Sequence, residues 1–292
     1  SLLVGIAFSL LSVIGFLVNC IVLYAISKGR LLYKGVSQSS SVYILSASSI
    51  AMDNLMIAVH VVYLIPAVFM QGCQSVSCFQ TWLFSGGMRD PAVVFFSSFF
   101  LYCWYYTTLS HILISLTRLY AIVNWKGSAL TNRKTVALVI LVQVMSLGGP
   151  VLTQFVSPCC KISFDYLIYT YTYDVIEGVH NYSNDVVDVP FEVLSSVCSF
   201  VCYTIIIIYM RWMARIGARE IASKRRHQEY VFAMQFAAMA TFYTVSWISF
   251  RVIPPLVGNS TEKWPHAITT SFVLLNSFSN AFVYLVNNAE AS

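Results

Sequence analysis

Two charged side chains lie inside long apolar stretches of this sequence, Asp53 and Arg118. A charge in such surroundings is costly in a membrane, so each marks a place where the charge is paired, hydrated or used. Neither belongs to a catalytic pattern, because the sequence contains no His-Glu-x-x-His, no Gly-x-Ser-x-Gly and no glycine-rich phosphate loop. We therefore expect no enzyme activity, no metal and no cofactor.

The composition indicates what must position these charges. Hydrophobic residues make up 58% of the 292 residues and charged residues 10%, against about 25% charged residues in a soluble domain. Continuous apolar runs cross a bilayer as helices of about 20 residues, whereas the strands of a membrane barrel alternate apolar and polar residues over about ten positions. The predicted fold class is all-α, a polytopic membrane protein in a lipid bilayer, with no nucleic acid as partner.

Seven apolar stretches predict a bundle of seven transmembrane helices in a single domain that covers residues 1–292. The sequence begins at Ser1 without Met, and we expect that residues are missing from both ends. The predicted spans are 2–26, 39–70, 92–123, 135–156, 191–213, 230–254 and 266–287.

The loops on the two sides of this bundle differ in charge. Most of the 17 basic residues fall on one side, including those of segment 215–226, and most acids fall on the other. Because basic loops stay in the cytoplasm, the N-terminus is predicted to lie outside. Two N-glycosylation motifs, at Asn181 and Asn259, lie on the predicted outer side and agree with this orientation.

Four cysteines lie in the predicted outer loops, Cys73 and Cys78 in the first and Cys159 and Cys160 in the second. These loops face an oxidising compartment, in which disulfides persist. We expect a bridge between the two loops. The spacing leaves the pairing open, and two bridges are an alternative to one.

Short motifs on four spans resemble those of rhodopsin-like G-protein-coupled receptors. Arg118, in Thr117-Arg118-Leu119-Tyr120, resembles the arginine of their Asp/Glu-Arg-Tyr motif, with Thr117 in place of the acid. The resemblance implies an arginine that holds the cytoplasmic end closed and meets the G protein when that end opens. The alternative is a lone arginine that extends its side chain to the membrane surface.

The other three motifs correspond to a polar cluster in the same receptors. Asn280 and Tyr284, in Asn280-Ala-Phe-Val-Tyr284, resemble the Asn-Pro-x-x-Tyr motif with alanine at the proline position. Their spacing of four residues puts both on one face of a helix. Asn19-Cys-Ile-Val22 resembles the motif of the first span, and Asp53 is the charged residue inside the second. The resemblance implies that Asp53 joins Asn19 and Asn280 in a cluster that takes part in activation.

Longer segments resemble the nematode serpentine receptor class X family over nearly the whole chain. These segments are Trp104-Tyr-Tyr-Thr-Thr-Leu-Ser-His111-Ile-Leu-Ile-Ser-Leu-Thr-Arg118, Cys160-Lys-Ile-Ser-Phe-Asp165, Lys224-Arg-Arg-His-Gln-Glu229 and Val286-Asn-Asn-Ala-Glu290. The resemblance implies a G-protein-coupled chemosensory receptor of the plasma membrane, sensory cilia included, with a heterotrimeric G protein as partner. The family does not define the extracellular ligand, which we expect to be a small organic molecule or a peptide.

A ligand site is expected in the outer half of the bundle. Helical periodicity places three residues of the third span on the face that carries Arg118, and three more lie in the outer half of the sixth span. The expected lining residues are Phe100, Trp104, His111, Trp247, Phe250 and Arg251.

An aromatic cavity with one cation suits a small organic or acidic ligand. We accordingly predict that Arg251→Ala changes ligand potency more than surface expression. The alternatives are ordinary core packing for the aromatic residues and for His111. For Arg251 they are an ion pair with an acid of the outer loops, or a side chain extended outward.

A membrane transporter or ligand-gated channel is the main alternative function. Transporters are typically built from repeated halves with broken helices and several buried ionisable groups. This sequence shows no internal repeat, and Asp53 is its one acid deep inside a predicted span. A retinal protein is not expected, because residues 266–287 contain no lysine.

Overall fold

The computed structural model describes most of the chain as long helices and one small hairpin. The described residues are 2–28, 38–70, 90–123, 130–157, 159–165, 168–176, 178–215, 220–257 and 264–287. Three residues of the sequence predictions, Cys73, Cys78 and Asn259, lie outside them.

Helices account for nearly all of this described part. The α-helices are α1 (Leu2–Lys28), α2 (Gln38–Val59), α3 (Ile65–Met70), α4 (Pro91–Val123), α5 (Asn132–Pro150), α6 (Val189–Arg215), α7 (Glu220–Val257) and α8 (Trp264–Asn287). Wider π turns extend three of them. They are His60–Leu64 between α2 and α3, Val151–Val156 after α5 and Ser183–Asp188 before α6.

These helices correspond to the seven predicted spans, with α2, its π turn and α3 forming the second. Within the described residues, six helical segments are long and apolar enough to cross a membrane. The remaining predicted span, α8, is less apolar because it carries polar residues such as Thr270, Asn276 and Asn280, which are buried within the protein. The helices confirm the all-α fold class.

Two helical segments begin well before their predicted spans. The π turn at Ser183 precedes the fifth span, which was predicted from residue 191, and α7 precedes the sixth. α7 starts at Glu220, whereas the sixth span was predicted from residue 230. Its apolar part, Ala233–Pro254, agrees with the prediction. The additional turns contain Lys224 and Arg225, which favour helix although they are charged. Hydropathy therefore located the part of this helix that can cross a membrane, and not its start.

A proline adjoins each π turn. Pro66 follows the first, Pro150 precedes the second and Pro190 follows the third. Proline has no backbone N–H, and its ring collides with the carbonyl of the preceding turn, so it disturbs the regular hydrogen-bond pattern of a helix. A π turn accommodates the disturbance by adding one residue to the turn.

The segment between α5 and α6 contains a β-hairpin, where the sequence predicted only the second outer loop. β1 (Ile162–Asp165) pairs antiparallel with β2 (Thr170–Tyr173), so that Ile162 lies opposite Tyr173. Aromatic or apolar residues alternate with polar ones along both strands, as the two-residue period of a strand requires.

This hairpin is attached to the helices on two sides. The Gln154 side-chain amide, in the second π turn, donates to the carbonyl of Ile162 (2.8 Å). The Thr270 hydroxyl, on α8, donates to the carbonyl of Tyr169 (2.7 Å). The hairpin therefore covers one end of the bundle, which we call the hairpin end. The opposite end, where α4 carries Arg118, is called the Arg118 end.

Aromatic side chains form much of the core at the hairpin end. Tyr171 of β2 stacks on Phe100 of α4 with ring centroids 3.7 Å apart, and Tyr63 stacks on Phe96 at 4.8 Å. Phe164 of β1 contacts both Tyr63 and Tyr171 edge-on. Such pairs contribute about 0.5–1.5 kcal/mol each beyond the burial of their surface. The hairpin is thus part of the core.

Candidate functional site

A cavity lies at the hairpin end, between the hairpin and helices α4, α6, α7 and α8. Its free volume is about 20 Å³, room for about one water molecule, so a larger ligand would have to move its walls apart. Its aromatic, apolar and charged lining residues are Phe100, Leu101, Trp104, Ile162, Tyr173, Asp188, Glu192, Phe250, Arg251 and Val273. The cavity therefore combines apolar walls with three charged side chains.

Arg251 on α7 forms an ion pair with Glu192 on α6. Its Nη2 and Nε atoms lie 3.1 and 3.3 Å from the same oxygen, Glu192 Oε2. Its Nη1 donates to the hydroxyl of Tyr173 (3.1 Å) and to Asn184 Oδ1. The rings of Tyr173 and Phe250 each lie 5.6 Å from the guanidinium, within cation–π range. The protein itself thus engages this guanidinium on several sides.

Asp188, the last residue of the third π turn, supplies a second buried carboxylate. The hydroxyls of Tyr105 and Tyr173 each donate to one of its oxygens. Burial, and then the nearby charge of Asp188, raise the pKa of Tyr173 well above its usual value, so Tyr173 keeps the proton that it donates. Within the described residues, no third His, Cys, Asp or Glu joins these carboxylates in a metal-binding group.

Trp104 connects the carboxylates to the aromatic wall. Its indole Nε1 donates to Glu192 Oε1 (3.1 Å). Its ring is stacked with that of Phe100 at 6.2 Å and lies 5.6 Å from that of Tyr243. A buried indole N–H needs an acceptor, so the bond to Glu192 fixes the orientation of the ring toward the cavity.

The structure brings together four of the six residues that the sequence placed in the ligand site. These four cavity-lining residues are Phe100, Trp104, Phe250 and Arg251. Arg251 pairs with an acid, as one of the sequence alternatives stated, but that acid lies at the start of α6 and not in an outer loop.

The other two predicted residues, His111 and Trp247, do not line the cavity. His111 lies about two turns further along α4 than Trp104, and its ring packs against that of Tyr243 at 4.9 Å. The Trp247 indole N–H donates to Ser196 Oγ (2.8 Å) on α6. Helical periodicity identifies a face but not the depth at which a cavity ends, so it did not separate these two residues from the four that line the cavity.

Sequence reasoning missed both acids of the cavity, and it missed Tyr173. Asp188 and Glu192 are four residues apart at the start of a span, and this spacing places two carboxylates on one helical face. This spacing was the signal in the sequence that could have identified the two acids. Tyr173 had no comparable signal, because its position depends on how the hairpin folds back against the helices.

The cysteine pairing differs from the expected bridge between two loops. Cys159 and Cys160 are bonded to each other, although they are adjacent in the sequence. Pairing depends on distances in the fold, which spacing in the sequence does not determine. The nearby Asn181 uses its Oδ1 to accept a hydrogen bond from the backbone N–H of Asn184 (3.0 Å) at the start of the third π turn. Its glycosylation stays a prediction.

Polar residues of α1, α2 and α8 meet in the interior, away from the cavity. Asn280 Nδ2 donates to Asp53 Oδ2 (2.6 Å), and Asn19 Nδ2 donates to the carbonyl of Ser277 (3.0 Å). The predicted residues Asp53, Asn19 and Asn280 therefore lie in one region. Tyr284 lies one turn further along α8, and its side chain is outside the described part of the structure.

At its own end of the bundle, Arg118 is buried, with 4% of its surface exposed. Its guanidinium lies over the ring of Phe236 on α7, 5.3 Å from the centroid. Thr117, at the position of the expected acid, donates its hydroxyl to the carbonyl of Ile114 in its own helix (2.9 Å). Arg118 thus connects α4 to α7, and its burial contradicts the alternative of a side chain extended to the membrane surface.

Comparisons with known proteins agree with this architecture. Among solved structures, the chain is similar to the crystal structure of squid rhodopsin, with a TM-score of 0.75 and 15% identity over 99% of this chain and 77% of that chain. This likeness shows the seven-helix fold alone. No curated protein matches the chain. A family model described as "Serpentine type 7TM GPCR chemoreceptor Srx" matches residues 10–288. Because that match spans nearly the whole chain, the protein belongs to the Srx family and is a G-protein-coupled chemosensory receptor.

Proposed function

We propose that this receptor binds its ligand in the cavity at the hairpin end, and that this end faces the outside of the cell. Binding there would open the Arg118 end to a heterotrimeric G protein. The observation that carries the proposal is the course of α4 and α7. Both helices line the cavity, through Trp104 and Arg251, and both meet again at the other end, through Arg118 and Phe236.

Contacts between α4 and α7 continue along the length of the bundle. The Thr108 hydroxyl on α4 and the Tyr243 hydroxyl on α7 lie 2.8 Å apart, between the cavity and Arg118. A ligand that favours one relative position of the two helices in the cavity also shifts the equilibrium between their positions elsewhere. Separation of Arg118 from Phe236 would then uncover a cation for the G protein.

The distribution of charge and sequons supports an orientation of the receptor in the membrane. Exposed basic residues at the start of α5, Arg133 and Lys134, lie toward the Arg118 end, and Asn181 lies toward the hairpin end. Basic residues favour the cytoplasmic side. We therefore place the N-terminus outside, and because the family is one of chemoreceptors we place the receptor in the plasma membrane, sensory cilia included. Membership of a receptor family disfavours the alternative that this protein is a transporter or a channel.

Arg118→Ala is expected to reduce agonist-evoked G-protein activation while the receptor still reaches the surface. We expect a loss of roughly 5- to 150-fold, the range typical of coupling between two sites. The measurement is the binding of a GTP analogue to membranes that contain receptor and G protein, over a mixed library of odorants, acids, amines and peptides. Arg133→Ala, which removes an exposed cation at the same end, is the matched control and should respond like the wild type.

Two results would contradict the proposal. One is an Arg118→Ala receptor that signals as well as the wild type at equal surface level, since Arg118 would then have no part in coupling. The other is a ligand-evoked current or uptake that needs no G protein, which would favour a channel or transporter.

A further inference from the structure

The charges around the cavity do not balance. Among the described lining residues, Arg251 is the one cation, and Asp188 and Glu192 are two anions. Both acidic residues are at least 95% buried, at 5% and 4% exposure. Buried charge is unfavourable unless it is paired, so the carboxyl group in excess either carries a proton or needs a positive group beside it.

Arg251 is poorly placed to attract an acidic ligand. Its Nε and Nη2 already donate to Glu192, and its Nη1 donates to Tyr173 and Asn184. A ligand carboxylate would have to displace Glu192 and would add a third anion to the two already buried there. The acidic ligand that the sequence suggested is therefore disfavoured by the structure.

The walls of the cavity suit the opposite charge. Phe100, Trp104 and Phe250 line it with aromatic rings, and such rings attract a cation through the negative face of the π system. The carboxylates lie beside these rings, since the Trp104 indole donates directly to Glu192. A ligand with an apolar body and a positive group would meet aromatic rings and excess negative charge in one cavity.

We propose that the cavity recognises organic cations, either protonated amines or quaternary ammonium compounds with an apolar or aromatic body. The proposal rests on the function proposed above, because it assigns a ligand class to that same cavity. The cationic group would lie beside Asp188 and Glu192, and the apolar body against the aromatic wall. The guanidinium of Arg251 would stay paired with Glu192.

The test is the thermal melting of the purified full-length receptor in the presence of charge-matched probes. The cation probes are 2-phenylethylammonium and phenyltrimethylammonium, the neutral probe is 2-phenylethanol and the acidic probe is phenylacetate. At least one cation should bind roughly tenfold or more tightly than the neutral probe, because a desolvated cation–π contact by itself supplies such a factor. Equal or greater stabilisation by phenylacetate, or no preference for either cation over the alcohol, would overturn the proposal.

Asp188→Asn tests the origin of the preference. It removes the excess negative charge while leaving Arg251 and Glu192 paired, so the cation preference should disappear. Asp185→Asn makes the same chemical change in the same π turn, but at a side chain that is 44% exposed and paired with His180 outside the cavity. It should keep the preference. An Asp188→Asn receptor that still prefers the cation would overturn the proposal.

Phe250→Leu provides a second variant if Asp188→Asn does not fold. It keeps an apolar wall but removes one aromatic face, so cation binding should weaken more than alcohol binding. If the binding of the cations and the binding of the alcohol weaken equally, the cavity is not a cation site.

G-protein activation, measured separately, distinguishes the two proposals. A cation that stabilises the wild type and not Asp188→Asn, yet never activates the G protein, would support the ligand class and contradict signalling from this cavity. Activation of the G protein by an acid, lost when the cavity residues are substituted, would support signalling from this cavity and contradict the ligand class.

Discussion

Arg251→Gln is expected to leave little folded receptor at the cell surface. The substitution removes the one described cation of the cavity and leaves Glu192 and Asp188 buried together. Breaking a buried ion pair by removing one partner costs about 3–5 kcal/mol, a large share of a typical folding stability of about 5–15 kcal/mol. This expectation revises the sequence-based prediction that Arg251→Ala affects potency more than surface expression, because the structure makes Arg251 the partner of a buried acid.

The measurements are surface labelling in cells and the melting temperature of the purified receptor. The double variant Arg251→Gln/Glu192→Gln should recover most of the loss, since it leaves one unpaired acid where the single variant leaves two. Arg211→Gln, which changes an exposed arginine on α6, should behave like the wild type. If Arg251→Gln melts and traffics normally and loses only ligand potency, the ion pair does not stabilise the fold and the sequence-based prediction holds.

Gly149→Ala is expected to destabilise the receptor and to disturb the charged side of the cavity. A Cβ atom at position 149 would lie 2.5 Å from Cγ of the Tyr105 ring, and closer still to two other ring carbons. Tyr105 is buried and donates its hydroxyl to Asp188, so its ring has no free direction in which to move. Overpacking of this kind typically costs about 1–3 kcal/mol, and loss of the bond to a buried carboxylate adds to the cost.

Gly148→Ala is a matched control for this prediction. It lies one residue earlier in the same helix, and a Cβ atom there would meet nothing within 4 Å. Alanine favours helix over glycine by about 1 kcal/mol, so this variant should melt at or above the wild-type temperature. Equal melting temperatures for the two variants would show that α4 and α5 separate easily, and that Tyr105 is not held where the structure places it.

Much of the fold could be predicted because a membrane imposes its requirement on each span separately. Every segment that crosses must be apolar over about 20 residues and must satisfy its own backbone hydrogen bonds. Hydropathy is therefore a local signal, and the predicted spans agree closely with the helices. One exception is α7, because the charged turns that begin at Glu220 lie beyond its apolar part. The other is the π turn Ser183–Asp188, which begins before the predicted fifth span.

The buried polar cluster could also be predicted, for a related reason. A polar side chain inside a span needs a partner from another helix, so Asp53, Asn19 and Asn280 at similar depth were expected to lie together. The contact between Asn280 and Asp53 agrees with this expectation. Burial of Arg118 against Phe236 could be anticipated only from resemblance, since a surface position was physically just as acceptable for a lone arginine near the end of a span.

By itself, then, the sequence determined the number of helical spans, their approximate limits and the depth of Asp53 and Arg118. The tertiary structure decided which charges meet. Arg251 and Glu192 are 59 residues apart, and their contact depends on the rotation of α6 and α7 about their own axes. Tyr173 reaches Asp188 because the hairpin folds back against the helices. Such pairings arise from the packing of several elements at once, and no local pattern of residues records that packing.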